Sequence, residues 1–159
     1  MRTVLILAAA LLLVPAASAQ PAAANSAIEA QRATAERVFL EKMGQGKFDI
    51  SPEVYTPDFR VRAPGGDYTL EMDNASGAEW RRAAPDLKVR VIRTLVEKDF
   101  AAVHWHASGT NSVAAAGLPG AGKPFAIDGM TFFRFEGGRI AEEWGVMDIA
   151  ALMKQLAAK

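Results

Sequence analysis

Four strand-like segments follow one another in the second half of the chain and constrain its fold more than any other feature. They cover residues 87–96, 100–110, 124–135 and 139–146, and a shorter segment at 58–63 precedes them. Apolar and polar residues alternate along these segments, as in strands with one buried face. The spacers between the last four leave no room for crossover helices, so we expect hairpin-like succession and a curved antiparallel sheet.

Three other regions show the helical spacing of apolar residues. One helix is predicted to begin at Ser26 and to end at Gly44 or Gly46, a second covers 73–84, and a third follows Asp148. This order of elements predicts an α+β domain, in which the sheet wraps around N-terminal helices and a C-terminal helix closes the chain. A sheet curved in this way can leave a pocket at its mouth.

The N-terminus has the layout of a secretory signal peptide. An unbroken apolar run at residues 4–14 precedes a small-residue cleavage site that ends at Ala19. The run is shorter than the roughly 20 residues of a membrane-spanning helix, although an uncleaved anchor is the alternative. We therefore predict a signal peptide at 1–19, a disordered lead at 20–25 and one domain at 26–159. The mature protein is expected to be periplasmic or secreted, without a membrane anchor.

Charge and cysteine content exclude several classes of function. The sequence has 18 Lys+Arg, 18 Asp+Glu and no cysteine. Removal of Arg2 with the signal peptide leaves a slight negative excess, which does not favour nucleic-acid binding. The absence of cysteine excludes disulfides, thiolate zinc sites and lipid anchoring.

The end of the chain carries a family likeness. Residues 129–156 (GMTFFRFEGGRIAEEWGVMDIAALMKQL) resemble the last part of SnoaL-like polyketide cyclases, which have the NTF2-like cone fold. The matching elements are F-R-F at 133–135, E-x-W at 142–144, an Asp at 148 and Q-L at 155–156. Further similarities upstream extend the resemblance to about residues 27–157.

The resemblance implies a conical, sheet-lined pocket, a homodimer, and catalysis without metal or organic cofactor. The family's cyclases close a ring by an aldol reaction in which one buried acid transfers the proton. This sequence has Thr131 at the position of that acid, and a Thr hydroxyl is no general acid or base near neutral pH. It also has Asn111 where the family has His, and Arg62-Ala63 where the family has a His-Asp pair.

Glu142 is the candidate catalytic acid from the sequence alone. Strict alternation places it between Ile140 and Trp144 on the predicted inward face of the last strand. Burial there is expected to raise the pKa of its carboxyl and so to suit it to proton transfer. The alternative is a structural carboxylate paired with an arginine such as Arg62 or Arg134.

Three other groups of ionisable residues have simpler interpretations. Asp148 is interpreted as a helix N-cap that also lies near the pocket rim, which makes it a second catalytic candidate. Asp128 is expected on the outer sheet face, unless Gly129 marks a bulge. His104 and His106 share a strand face but have no third ligand at a telling distance, so we predict no metal site.

The ligand-binding candidates are aromatic and small polar residues of the predicted sheet–helix interface. They are Phe39, Trp105, Asn111, Thr131, Phe133 and Trp144. The aromatic members could equally be core, whereas Thr131 or Asn111 could orient a ligand carbonyl. The leading hypothesis is an exported protein that binds a small, mostly apolar molecule, with cofactor-independent acid–base chemistry. The competing hypothesis is a non-enzymatic ligand-binding or assembly module.

Overall fold

The structure, a computed structural model, describes residues 19–157, with side chains from residue 24 onward. Its helices are α1 (Ala19–Arg37), α2 (Ser51–Val54), α3 (Leu70–Ala83) and α4 (Ile149–Ala157). A π-helical turn (Val38–Met43) continues α1, and a 3-10 turn (Phe48–Ile50) precedes α2. The strands are β1 (Tyr55–Val61), β2 (Tyr68–Thr69), β3 (Lys88–Glu97), β4 (Phe100–Asn111), β5 (Ala114–Ala115), β6 (Leu118–Pro119), β7 (Lys123–Glu136) and β8 (Arg139–Met147).

Six strands form one sheet in the order β2-β1-β8-β7-β4-β3. The pairs β3–β4, β4–β7 and β7–β8 are antiparallel, which confirms the predicted hairpin succession. However, β1 runs parallel to β8, with Tyr55 opposite Ile140 and Val61 opposite Glu143, so the sheet is mixed rather than wholly antiparallel. The long connection between β1 and β8 permits this pairing, since a tight turn is not needed there.

A bulge in β8 changes which residues of this strand face inward. Arg134 pairs with Glu142 and the next residue of β7, Phe135, pairs with Ile140, which leaves Ala141 as the extra residue. Ile140 and Ala141 are consequently both buried, and the inward alternation resumes at Glu143. The predicted inward face through residues 142, 144 and 146 is therefore wrong beyond the bulge.

The concave face of the sheet holds the core. The π-helical turn contributes Phe39, whose ring stacks on Trp105 with centroids 5.6 Å apart and lies 6.1 Å from that of Phe133. At the other end of the sheet, Leu152 and Leu156 of α4 pack into a second apolar cluster. Along β7 the residues predicted to face inward are buried and their neighbours are exposed or half-buried, as strand periodicity requires.

The ends of two helices differ from the sequence-based expectation. The structure continues α1 through residues 20–25, which were expected to be a disordered lead; three of these residues are alanines, and Pro21 lies in the first turn, where proline is tolerated. Except for Ala19, the predicted signal peptide lies outside the described residues. Helix α3 begins earlier than predicted, with Thr69 as its N-cap, because the Thr69 hydroxyl accepts a hydrogen bond from the Met72 amide at 3.3 Å. This start places Asp73 inside the first turn and not at the predicted beginning of the helix.

Among residues 19–157, no helix is both long and apolar enough to cross a bilayer.

Gly129 of β7 is required by a close approach of the Trp105 ring. A Cβ at this position would lie 2.1 Å from a ring carbon of Trp105. We predict that Gly129→Ala lowers the free energy of unfolding by about 1–3 kcal/mol, because the ring must move. Thermal melting and tryptophan fluorescence would measure the effect. Gly145→Ala is the matched control, since its nearest neighbour atom lies at 3.7 Å; equal melting temperatures for the two variants would contradict the prediction.

Candidate functional site

A cavity of about 240 Å³ opens between the concave face of the sheet, the π-helical turn and α3. Most of its wall is apolar, with large contributions from Phe39, Trp80, Leu87, Val89, Trp105 and Ile127. Polar side chains are confined to a smaller part of the lining, which includes Lys42, Tyr55, Asp73, Thr131 and Glu143. The cavity therefore combines the apolar surface and the few polar groups that are typical of a small-molecule site.

Lys42 is a buried cation in this polar part of the wall. Lys42 is only 2% exposed, and its ammonium forms an ion pair with the Asp73 carboxylate. Lys42 Nζ also donates a hydrogen bond to the Tyr55 hydroxyl at 3.2 Å and lies 4.5 Å from the centre of the Tyr55 ring. The early start of α3 brings Asp73 to this ammonium, and a buried charge of this kind requires such a partner.

Glu143 faces the cavity because it follows the bulge in β8. Burial and the nearby negative charge of Asp73 raise the pKa of its carboxyl to about 8, while the positive charge of Lys42 opposes the shift. The group is therefore mostly protonated and neutral at pH 7, a state in which it can donate a proton or a hydrogen bond.

Tyr55 is the second buried acid of this region. Burial, followed by the negative charges of Glu143 and Asp73, raises the pKa of its hydroxyl well above the usual range. Because the phenol oxygen accepts a hydrogen bond from Lys42, its own proton remains free to be donated.

Three of the predicted ligand-binding residues line the cavity. They are Phe39, Trp105 and Thr131. The indole Nε1 of Trp105 donates a hydrogen bond to the Thr131 hydroxyl at 3.1 Å, which fixes both side chains against the cavity wall. Thr131 thus occupies the place expected of it, with a hydroxyl that can still donate to a ligand.

The other three predicted ligand-binding residues lie elsewhere. Phe133 is fully buried in the core, and Asn111 holds the loop after β4, where its amide donates to the Val113 carbonyl at 3.1 Å and accepts from the Gly120 amide at 2.8 Å. Trp144 lies on the outer face of the sheet, since the bulge reverses its direction.

Glu142 points away from the cavity, contrary to the expectation of an inward face. Its carboxylate accepts a hydrogen bond from Arg62 Nε at 2.9 Å and forms an ion pair with Arg134. The bonds from Arg134 and then Arg62 hold its pKa below the usual range. The geometry is that of the structural carboxylate considered as the alternative.

Asp148 has the geometry of a helix cap. Its carboxylate accepts a hydrogen bond from the Ala151 amide at 2.8 Å, in the first turn of α4. It borders a shallow depression on the outer side of the sheet, next to His104 and Asp128, and is absent from the lining of the main cavity. It therefore does not join the polar cluster.

The outer face of the sheet carries the two histidines, as expected. His106 Nδ1 lies 2.9 Å from Asp128 Oδ1, and His104 Nε2 lies 4.0 Å from the same oxygen. No group of three or more His, Cys, Asp or Glu residues in the described part of the chain is placed to hold a metal ion.

Sequence reasoning missed Lys42, Tyr55, Asp73 and Glu143. The first three come from different elements and meet only in the tertiary structure. The tandem Glu142-Glu143 was the one available signal, because in an unbroken strand adjacent residues face opposite sides. Which of the two faces inward depends on the bulge, which has no glycine or other marker at Ala141.

Comparison with known proteins agrees with this architecture. The family model of SnoaL-like polyketide cyclases matches residues 33–156, so the chain belongs to that family. A candidate SnoaL-like polyketide cyclase from Jannaschia sp. CCS1 is 24% identical, with a TM-score of 0.74 over 82% of this chain and 94% of its own.

Two Streptomyces proteins have the same fold. TsrD from Streptomyces laurentii is 22% identical, with a TM-score of 0.71 over 84% of this chain and 97% of its own. IdmH from Streptomyces antibioticus, a candidate polyketide cyclase, is 24% identical, with a TM-score of 0.70 over 80% of this chain and 99% of its own. No curated protein sequence matches this chain significantly.

The raised pKa of Glu143 predicts how stability depends on pH. Its ordinary pKa is 4.5 and its folded value is about 8, so between these values the unfolded chain is ionised while the folded protein keeps the proton. Stability from this group is fully present below pH 4.5 and is lost as the pH rises through 8. Glu143→Gln should remove this loss, which a rise of the pKa from 4.5 to about 8 makes on the order of 4–5 kcal/mol, and make the variant the more stable protein at about pH 9.

Melting temperatures of the wild type and the variant between about pH 5 and pH 9 would test this. Glu142→Gln is the matched control: it removes an ion-paired carboxylate whose pKa is lowered, so it should destabilise throughout that range without a growing difference. If the melting temperatures of Glu143→Gln and the wild type differed by the same amount at every pH, the prediction would be contradicted.

Proposed function

We propose that this protein is exported, binds a small, mostly apolar molecule in the cavity, and performs cofactor-independent acid–base chemistry on it. The observation that carries the proposal is the position of Glu143, a carboxyl with a raised pKa at the wall of an otherwise apolar cavity. Cofactor-independent proton transfer requires little more than such a group, a bound substrate and restricted access of water.

The charge balance of the cavity wall supports a neutral ligand. The positive charge of Lys42 is matched by Asp73, and that of Arg62 by Asp67 and Glu142. Glu143 adds no negative charge while it is protonated. A charged ligand would therefore meet no uncompensated partner among these groups, whereas an apolar body with one or two polar atoms fits the lining.

A non-enzymatic ligand-binding or assembly module is the second candidate. Thr131 favours this candidate, because the resemblance to the family implies a catalytic acid at this position and a Thr hydroxyl is not one. Glu143 favours the enzymatic proposal, because it supplies a titratable group to the same cavity from the neighbouring strand. Turnover that depends on Glu143 would distinguish the two.

Native mass spectrometry of protein isolated from the periplasm tests both binding and export. We expect a mature chain that begins at Gln20 and carries a small copurified molecule. Val89→Phe should lose that molecule, since it adds bulk at the cavity wall, while Met72→Lys on exposed surface should retain it. Recovery of the protein only from the cytoplasm, with Met1 intact, would contradict export. Full retention of the molecule by Val89→Phe would contradict binding in this cavity.

We further propose a homodimer formed through the outer face of the sheet. Phe100 and Phe132 stack there with ring centroids 5.2 Å apart, and Trp144 contacts Phe132. Leu95 and Met130 add to the exposed apolar surface, which is 63% exposed at Leu95. An exposed apolar patch of this kind is typical of protein–protein contact.

The mass in solution tests the dimer. Light scattering should give twice the chain mass for the wild type, and Phe132→Lys should shift the protein to monomer because it places a charge in the buried contact. Met72→Lys, an equally exposed apolar position on α3, should leave the dimer intact. A monomeric wild type at high concentration would contradict the proposal.

A further inference from the structure

We propose that Asp73 acts as the base and Glu143 as the acid in the enolisation of a neutral carbonyl compound that binds in the cavity. This inference rests on the proposed function and deepens it. It assigns separate roles to two carboxyl groups that come from α3 and β8 and line the same cavity.

The two groups have opposite environments. The Asp73 carboxylate forms an ion pair with the buried ammonium of Lys42, so it is the charged member. Glu143 has no side-chain hydrogen bond or ion pair within residues 24–157, and burial together with the charge of Asp73 raises its pKa to about 8. Two carboxyl groups whose environments separate their protonation states are suited to opposite roles in proton transfer.

Lys42 is the positioning residue of the pair. Its ammonium contacts Asp73 and also donates to the Tyr55 hydroxyl at 3.2 Å, so one buried cation holds the base and a phenol on the same side of the cavity. Tyr55 keeps its proton because burial and the neighbouring negative charges raise its pKa well above the usual range. The cluster therefore offers two neutral donors, Glu143 and Tyr55, and one carboxylate.

This set of groups defines the class of substrate. Two hydrogen-bond donors suit an acceptor oxygen, and a carboxylate base near that oxygen suits an acidic C–H beside it. A ketone or aldehyde provides both, with the acidic C–H at the carbon next to its carbonyl group. The apolar remainder of the cavity fits a hydrocarbon body. Compensation of the charges in the wall favours a substrate without charge.

The proton transfers balance without any other reactant. Asp73 takes a proton from the carbon next to the carbonyl group, and that C–H electron pair forms a carbon–carbon double bond. The carbonyl π electrons move to oxygen, which receives the proton of Glu143, while Tyr55 donates a hydrogen bond to the same oxygen. The step leaves an enol, a protonated Asp73 and an ionised Glu143. When Asp73 returns a proton to carbon and the enol O–H returns its proton to Glu143, both groups are restored, and exchange of the Asp73 proton with solvent before its return carries deuterium to that carbon.

Deuterium exchange into a simple ketone tests the inference. The probes are 2-decalone and 2-tetralone in D₂O, with loss of the protons next to the carbonyl group followed by NMR. Binding is measured separately from the fluorescence of Trp80 and Trp105, which line the cavity. We expect catalysed exchange that declines as the pH rises through about 8, because Glu143 then loses its proton.

The variants assign the roles. Glu143→Gln should slow exchange by about 100-fold or more, as should Asp73→Asn, while ketone binding persists. Since Asp73→Asn leaves the Lys42 charge unpaired, the double variant Lys42→Met/Asp73→Asn provides a folded alternative without a buried charge. Asp128→Asn, which removes a carboxylate from the outer face, should leave exchange unchanged, and circular dichroism checks the fold of each variant.

Each outcome decides the inference. Ketone binding without catalysed exchange would overturn it and leave the proposed binding function intact. Full exchange by Glu143→Gln, or by both Asp73 variants, would also overturn it. Failure of both ketones to bind would overturn it too, and the proposed function would then depend on the copurified molecule alone.

Discussion

The bulge at Ala141 is the constraint on which the site depends. By adding one residue to β8 opposite β7, it directs Glu142 outward to Arg62 and Arg134 and Glu143 inward to the cavity. Adjacent glutamates thereby acquire opposite properties: the pKa of one carboxyl lies below its usual range and that of the other rises to about 8. In a strand without the bulge, Glu142 would face the cavity. Arg62 and Arg134 would then lack its carboxylate as a partner.

The buried ion pair of Lys42 and Asp73 is the second determinant of the site. Removing a lysine from water is costly, and an adjacent carboxylate offsets that cost only when the two are held in contact. Two local features achieve this: the π-helical turn that carries Lys42 and the early start of α3, capped by Thr69, that carries Asp73. The same pair places a negative charge near Glu143, which contributes to the raised pKa of that carboxyl.

Within the SnoaL-like family, this chain combines a shared fold with a different polar lining. Thr131 accepts a hydrogen bond from Trp105 at the position where the resemblance places an acid. The carboxyl groups of the cavity come instead from α3 and β8. A cone-shaped sheet permits such a change, because several strands and helices present side chains to one enclosed volume.

The sequence by itself determined the order of elements, the α+β class, the family and the inward face of β7, because these follow from periodicity, turn spacing and motif order. For the acid of β8, strict alternation selected Glu142, which is the wrong one of two adjacent glutamates. Only the tertiary structure decided that Glu143 faces the cavity, that β1 runs parallel to β8, and that Asp73 meets Lys42. The physical reason is that a one-residue bulge, a strand pairing across a long connection and a contact between distant helices leave no local pattern in the chain.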